Sequence, residues 1–157
     1  MFDKDRPVNQ LHWGGGTPTF ISHEQITSLM NVIKSNFTLL DDDSGDYSIE
    51  IDPREIKEET ISLLRNIGFN RISIGVQDFN PNVQKAVNRE QTYEKTLNVF
   101  NEARKHGFHS INVDLIYGLP KQSARTFCNT ISKIVEMNPD RIAIYNYAHL
   151  PDLFKTQ

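Results

Sequence analysis

The 157-residue chain is long enough for one domain with a packed core, and 38% apolar against 24% charged residues are globular values that exclude disorder. A formal charge of −3 supplies no basic field for nucleic acid or an anionic membrane, and no apolar run reaches the roughly 18–20 residues of a membrane span. The start, Met1-Phe2-Asp3-Lys4-Asp5-Arg6, is not a signal peptide, and one cysteine, Cys128, cannot close an internal disulfide, so a reducing, cytoplasmic setting is expected.

Val8 to Trp13 reads as a first strand that runs into Gly14-Gly15-Gly16-Thr17-Pro18. Ser22-His23-Glu24-Gln25 forms a capping box, and Ile26, Leu29, Met30 and Ile33 mark one face of a helix ending near Phe37. The acid run Asp41-Asp42-Asp43-Ser44-Gly45-Asp46 predicts a solvated turn in preference to a cation site. Tyr47 to Asp52 is the second strand, followed by a helix carrying Ile61, Leu64 and Ile67 that closes at Gly68. Arg71 to Val76 is the third strand. A short helix from Pro81 and a longer one from Thr92 to His106 lead to Gly107. Ser110 to Asp114 is the fourth strand, Ser123 to Met137 a helix, and Arg141 to Tyr147 the fifth strand.

An internal echo supports this register. Gly68-Phe69-Asn70-Arg71, Gly107-Phe108-His109-Ser110 and Asn138-Pro139-Asp140-Arg141 each join a helix to a strand. Repeating βα units of this length require parallel strands, so the fold class is α/β with a parallel sheet and no internal domain boundary.

Polar residues fall where buried strands have no structural use for them, at the carboxyl ends. These are the glycines and Thr17, Glu50 and Asp52, Gln77 and Asp78, Asp114, and Asn146. In parallel α/β folds ligands bind at that edge. The triple glycine allows close backbone approach to a ligand, or simply makes a tight turn. Glu50 and Asp52 share a strand face and either accept hydrogen bonds from a ligand ammonium or pair with Arg54. Gln77 and Asp78 are also explained by turn chemistry, and Arg89 by a surface ion pair with Glu90 or Glu94. Neither His12 nor His149 has metal-ligand spacing, and both are read as structural. Cys128, near Phe127 and Ile131, is read as a buried small hydrophobe.

The ordered set of Leu11-His12-Trp13-Gly14-Gly15-Gly16-Thr17-Pro18-Thr19, Ser48-Ile49-Glu50-Ile51-Asp52-Pro53-Arg54-Glu55, Gly75-Val76-Gln77-Asp78-Phe79-Asn80, Val87-Asn88-Arg89-Glu90-Gln91, Asp114-Leu115-Ile116-Tyr117-Gly118-Leu119-Pro120 and Tyr145-Asn146-Tyr147-Ala148-His149-Leu150-Pro151 resembles the oxygen-independent coproporphyrinogen III oxidase family of the radical S-adenosylmethionine (SAM) superfamily. A paralogous group of heme chaperones shares the glycine loop. At Glu50-Ile51-Asp52-Pro53, Val76-Gln77-Asp78-Phe79 and Asn88-Arg89-Glu90-Gln91 the chain sides with the oxidase family. A non-catalytic SAM- or heme-binding module is the alternative reading.

The resemblance implies a partial (β/α) barrel of the radical SAM type, with about five βα units, spanning 1–157. It implies SAM and a 4Fe–4S cluster as cofactors and coproporphyrinogen III as substrate. A flavodoxin or ferredoxin is the implied electron donor. Gly15 and Glu50 match positions that hold the cleaved SAM. Gly16, Thr17, Gln77, Arg89, Asp114 and Ala148 match positions around a second SAM. The family's Cys-x3-Cys-x2-Cys loop, its first strand and its C-terminal substrate-capping domain have no counterpart in these 157 residues. The chain is therefore expected to be a central piece, inactive alone, with an apolar sheet edge left where the first strand would pair.

Overall fold

Period-two alternation makes the strands, and it sorts their two faces by polarity. In β4 (Asp46–Ile51) Tyr47, Ile49 and Ile51 are buried while Ser48 and Glu50 are half exposed. In β5 (Arg71–Gln77) and β6 (Ser110–Tyr117) Ile72, Ile74, Ile111, Val113 and Leu115 are buried, while Ser73, Asn112 and Asp114 are half exposed. The apolar face joins one core with Ile26 and Met30 of α1 (His23–Asn36), Ile61 and Leu64 of α2 (Glu58–Asn66), Val99, Phe100 and Ala103 of α4 (Tyr93–Lys105), and Ile134 and Met137 of α5 (Ala124–Met137). Each fully buried aliphatic side chain contributes about 1.5–3 kcal/mol. The other face, polar and helix-free, is where chemistry can sit.

This arrangement comes from a computed structural model that describes residues 6–148. The main sheet is all parallel, in the order β2 (Gln10–Trp13), β4, β5, β6 and β7 (Arg141–Asn146). Among the described residues it stays open, so it is an arc of a barrel and not a closed one. A short helix, α3 (Pro81–Ala86), follows β5. A second, two-stranded sheet pairs β1 (Pro7–Val8) with β3 (Thr38–Leu39).

The helix-to-strand echo has a physical basis. Gly68 and Gly107 take left-handed φ values of 115° and 76°, and the next residues, Phe69 and Phe108, donate back to Leu64 and Ala103 at 3.1 Å each. Asn138 takes the same left-handed conformation at φ 54° and donates its own N–H to Val135 C=O, while the following Pro139 has no N–H to return to the helix. Each following residue then extends the ladder: Asn70 N–H donates to Tyr47 C=O, His109 to Asn70, and Asp140 to Ile111. The Asn70 and Asp140 side chains return the bond by accepting from Tyr47 N–H (2.9 Å) and Ile111 N–H (2.8 Å).

Four sequence readings need correction. The first strand is split at Asn9 into β1 and β2, and β3 was not anticipated, because two-residue strands carry no periodicity. The fourth strand runs on to Tyr117, so Asp114 lies inside it and not at its end. Cys128 is exposed, since α5 buries the stripe Thr130, Ile134 and Met137 and residue 128 points away from it. Asp43 is not merely solvated: from a left-handed backbone (φ 64°) it binds Arg65, His109 (2.8 Å) and Asn70 (3.1 Å). As for the apolar edge, Leu11 and Trp13 of β2 pack against the core. The more exposed apolar edge is β7, where Ile142 and Ile144 stand 42% and 50% exposed. His149 and the residues after it lie outside the described residues.

Candidate functional site

The strand β2 ends directly above Glu50 of β4, with Trp13 in register with Ile49. Gly15 and Gly16 then turn through φ values of 84° and 60°, a backbone that side chains resist, and nothing lies within 4 Å of where their Cβ atoms would be. The turn aims Gly15 N–H at Glu50 Oε2, 3.1 Å away. Gly14 is glycine for another reason: a Cβ there would meet His12 Nε2 at 2.5 Å and Glu50 Oε1 at 2.9 Å. His12, read from sequence as structural, faces the same side as Glu50, with Nδ1 2.8 Å from Ser48 Oγ and Nε2 3.4 Å from Glu50 Oε1. Strand parity, with His12 one β-ladder away from Ser48, was the signal that could have found it.

A second carboxylate, Asp52, is buried at the end of β4 and is filled by cations. Arg54 Nη2 lies 2.7 Å and Arg89 Nη1 3.2 Å from Asp52 Oδ2. Burial alone would raise its pKa. The Arg54 hydrogen bonds and the Arg89 charge outweigh that and hold Asp52 below the usual carboxylate value. Arg89 thus pairs with Asp52, not with Glu90 or Glu94, because the chain between α3 and α4 folds it inward. Burial pulls its own pKa down, and Asp52 opposes that. Arg89 Nη2 also donates to Gly75 C=O at 3.0 Å.

Around Gly75 the β5–β6 register shifts, and Gln77 adopts φ 66°. This bulge leaves polar atoms stranded: Gln77 Oε1, Arg89 Nε and Gln91 Oε1 are buried with no hydrogen-bond partner among the described residues. Buried orphans of this kind are rare and mark a place where a ligand or water completes the bonding. Asp78, by contrast, is structural. It accepts from Asn80 N–H, Thr130 O–H and Gln122 Nε2.

The third carboxylate, Asp114, sits beside Gly75 in the β5–β6 register. It accepts from Ser73 O–H and Asn112 Nδ2, both at 2.7 Å. Burial pushes its pKa up and the Glu50 charge adds to the rise, while these two bonds only partly offset it. Its charge in turn raises the Tyr145 phenol. Glu50, Asp114, His12, Ser73, Asn112 and Tyr145 line one cavity of ≈ 340 Å³ on the concave face.

The structure therefore groups the sequence-predicted residues in two sets. Glu50 and Asp114 line the cavity, with Gly15 joined to it through its bond to Glu50, and Gln77 and Arg89 meet at Gly75. Gly16 and Thr17 continue the exposed loop from Gly15, Thr17 being half-buried before the 3-10 turn Pro18–Phe20. Ala148 is exposed beyond the end of β7 and joins neither set. Ser73, Asn112 and Tyr145 were missed, because serine, asparagine and tyrosine inside a strand give no motif.

The sequence profile of the radical SAM superfamily matches residues 1–134. This chain belongs to the radical SAM superfamily. It is similar over 98% of its length to the curated oxygen-independent coproporphyrinogen III oxidase of Pseudomonas aeruginosa, at 54% identity, and over 97% to that of Escherichia coli K12, at 52%. It spans about one third of those relatives, 34% and 33%. The solved structure of the Escherichia coli coproporphyrinogen III oxidase, described as a radical SAM enzyme, superposes with a TM-score of 0.91 at 51% identity, covering 97% of this chain and 35% of that one. A radical SAM methyltransferase from Kitasatospora setae shares the fold alone, with a TM-score of 0.72 at 13% identity over 91% of this chain and 28% of its own.

Two cofactors go with the superfamily, and the described residues treat them differently. They fit SAM: an open glycine turn, a half-exposed carboxylate and orphaned buried polar atoms line one rim. They do not fit a 4Fe–4S cluster. Among them no group of three or more His, Cys, Asp or Glu side chains is arranged to hold a metal, and the one cysteine lies exposed on α5.

Proposed function

We propose that residues 1–157 carry a SAM-binding part of a radical SAM core domain, in a protein that oxidatively decarboxylates coproporphyrinogen III to protoporphyrinogen IX. The observation that carries this reading is the Gly15–Glu50 junction. A left-handed backbone turn that disfavours side chains holds a carboxylate at the carboxyl rim of a sheet, in a chain 54% identical to the oxidase of Pseudomonas aeruginosa.

Glu50 is the acceptor for the ammonium of SAM, and Gly15 offers its backbone at contact distance. Gly16, Thr17, Asp114 and Ala148 border a second SAM. Gln77 Oε1 and Arg89 Nε gain from it the partners they lack among the described residues. SAM held there would supply hydrogen-atom abstraction chemistry once reduced by a cluster whose ligands are not among the described residues. The chain's own residues orient the ligand and exclude water from the concave face. Electrons come from a flavodoxin- or ferredoxin-type donor, in a reducing, cytoplasmic setting.

Calorimetric titration of the folded chain with SAM tests the binding step. Binding that weakens at least about tenfold in Glu50→Ala is the expected result, from loss of a charge-assisted hydrogen bond. A folded wild-type chain that gives no heat with SAM would refute the assignment of this rim.

A further inference from the structure

We infer that His12 is a positioning residue for Glu50, and that Gly14 is glycine because the loop must close over this pair. The inference concerns the rim proposed above to bind SAM and rests on that reading only for its effect on affinity. Its structural half stands alone.

His12 Nδ1 lies 2.8 Å from Ser48 Oγ, and Ser48 Oγ lies 3.4 Å from Leu11 C=O. If the imidazole is neutral, Ser48 O–H can donate to Nδ1, which places the ring proton on Nε2. If it is an imidazolium, both nitrogens carry protons, Ser48 accepts from Nδ1–H, and its own proton goes to Leu11 C=O. In either of these forms an Nε2–H faces Glu50 Oε1 across 3.4 Å. Ser48 Oγ can also accept from Nδ1–H of the other neutral tautomer while donating to Leu11 C=O, so Ser48 fixes the plane of the ring and the Glu50 carboxylate favours the proton on Nε2.

Glu50 is then gripped from both sides. His12 faces Oε1 and Gly15 N–H donates to Oε2 at 3.1 Å. A carboxylate on a flexible two-carbon stem, 40% exposed, has several rotamers open to it, and the Gly15 hydrogen bond together with the His12 contact favours one of them. Gly14 completes the unit: a methyl group would fall 2.5 Å from His12 Nε2 and 2.9 Å from Glu50 Oε1, and the ring cannot swing away without giving up Ser48. This explains the first glycine of the triplet without any ligand.

The substitutions that separate positioning from bulk are His12→Gln, whose amide nitrogen falls near Nε2, and His12→Asn, whose amide nitrogen falls near Nδ1. Two readouts are used: the Gly15 amide proton shift in the ligand-free chain, and SAM affinity by calorimetry. His12→Asn and His12→Ala should move the Gly15 amide toward its random-coil shift and weaken SAM about fivefold, whereas His12→Gln keeps both near wild type. Ser48→Ala, which leaves the ring in place without its orienting partner, should fall between. A Gly15 amide that stays put in His12→Ala overturns the inference, as does an equal response of the Gln and Asn variants. Failure of the wild-type chain to bind SAM would sink the proposed function instead, and the amide shifts would still decide the role of His12.

Discussion

Asp52 lies two residues beyond Glu50 at the end of β4 and Asp114 two strands away on β6, and their environments push them in opposite directions. Asp52 meets two guanidinium groups and is held ionised. Asp114 meets a hydroxyl and an amide, neutral donors that do not cover the cost of burying a charge, and its pKa rises. The contrast shows how a rim divides labour. A carboxylate whose charge is consumed by protein cations organises the loops, as Asp52 does by drawing Arg54 and Arg89 together. A carboxylate with only neutral partners keeps its charge available for whatever enters the cavity.

The largest test of this contrast is Asp52→Asn, which leaves two arginines facing a neutral amide. It should cost about 3 kcal/mol in urea unfolding, the usual penalty for breaking a buried pair from one side. Gly14→Ala, which displaces the half-exposed ends of His12 and Glu50, should cost about 1 kcal/mol, read from the same midpoints. Asp114→Asn should change stability at neutral pH by less than about 1 kcal/mol, because it trades one set of neutral hydrogen bonds for another. A loss as large as that of Asp52→Asn would mean that the Asp114 charge is structural after all.

The two residues also separate by pH. Asp52 has a depressed folded-state value, so its contribution is complete above the ordinary carboxylate value of 3.8 and is lost as pH falls through the depressed one. Asp114 has a raised value, so it favours the fold at low pH, and that gain is lost as pH rises through the raised value. Acid unfolding followed by circular dichroism should therefore be shallower in Asp52→Asn and steeper in Asp114→Asn than in wild type. The smallest effect belongs outside both sites: Cys128→Ser should alter stability by less than about 0.5 kcal/mol, and the native thiol should react fully with an aromatic disulfide reagent.

What could be read from the sequence followed from how much each feature repeats. Helix ends were legible because Ser22, Gly68 and Gly107 each announce a boundary with one residue, and the parallel order followed from the recurring turn into each strand. The strand ends were harder. Asp114 looks terminal because a charge seems out of place in an apolar run, yet the strand's concave face is polar from Asn112 onward, so the alternation continues through it. Glu50 and Gly15 were found through a motif and meet at 3.1 Å. His12 escaped because its partners, Ser48 and Glu50, are 36 and 38 positions away and come together only through the β2–β4 register. Cys128 was misplaced because two apolar neighbours say less about a helix face than the full stripe does.

The opposite end of the sheet bears on all of this. There Asp43 ties Arg65, Asn70 and His109 into one knot, Arg104 holds Asp140, and Arg71 holds Asp46, so the strand starts are clamped from β4 across to β7. At the rim, Gly15 and Gly16 have open space around them. The arc is built like a hand fan, pinned at the handle and, along its outer margin, pinned again at Asp52 and Asp78 but open at the glycine turn. A guest arriving at that turn meets bare backbone and does not have to undo a single pin.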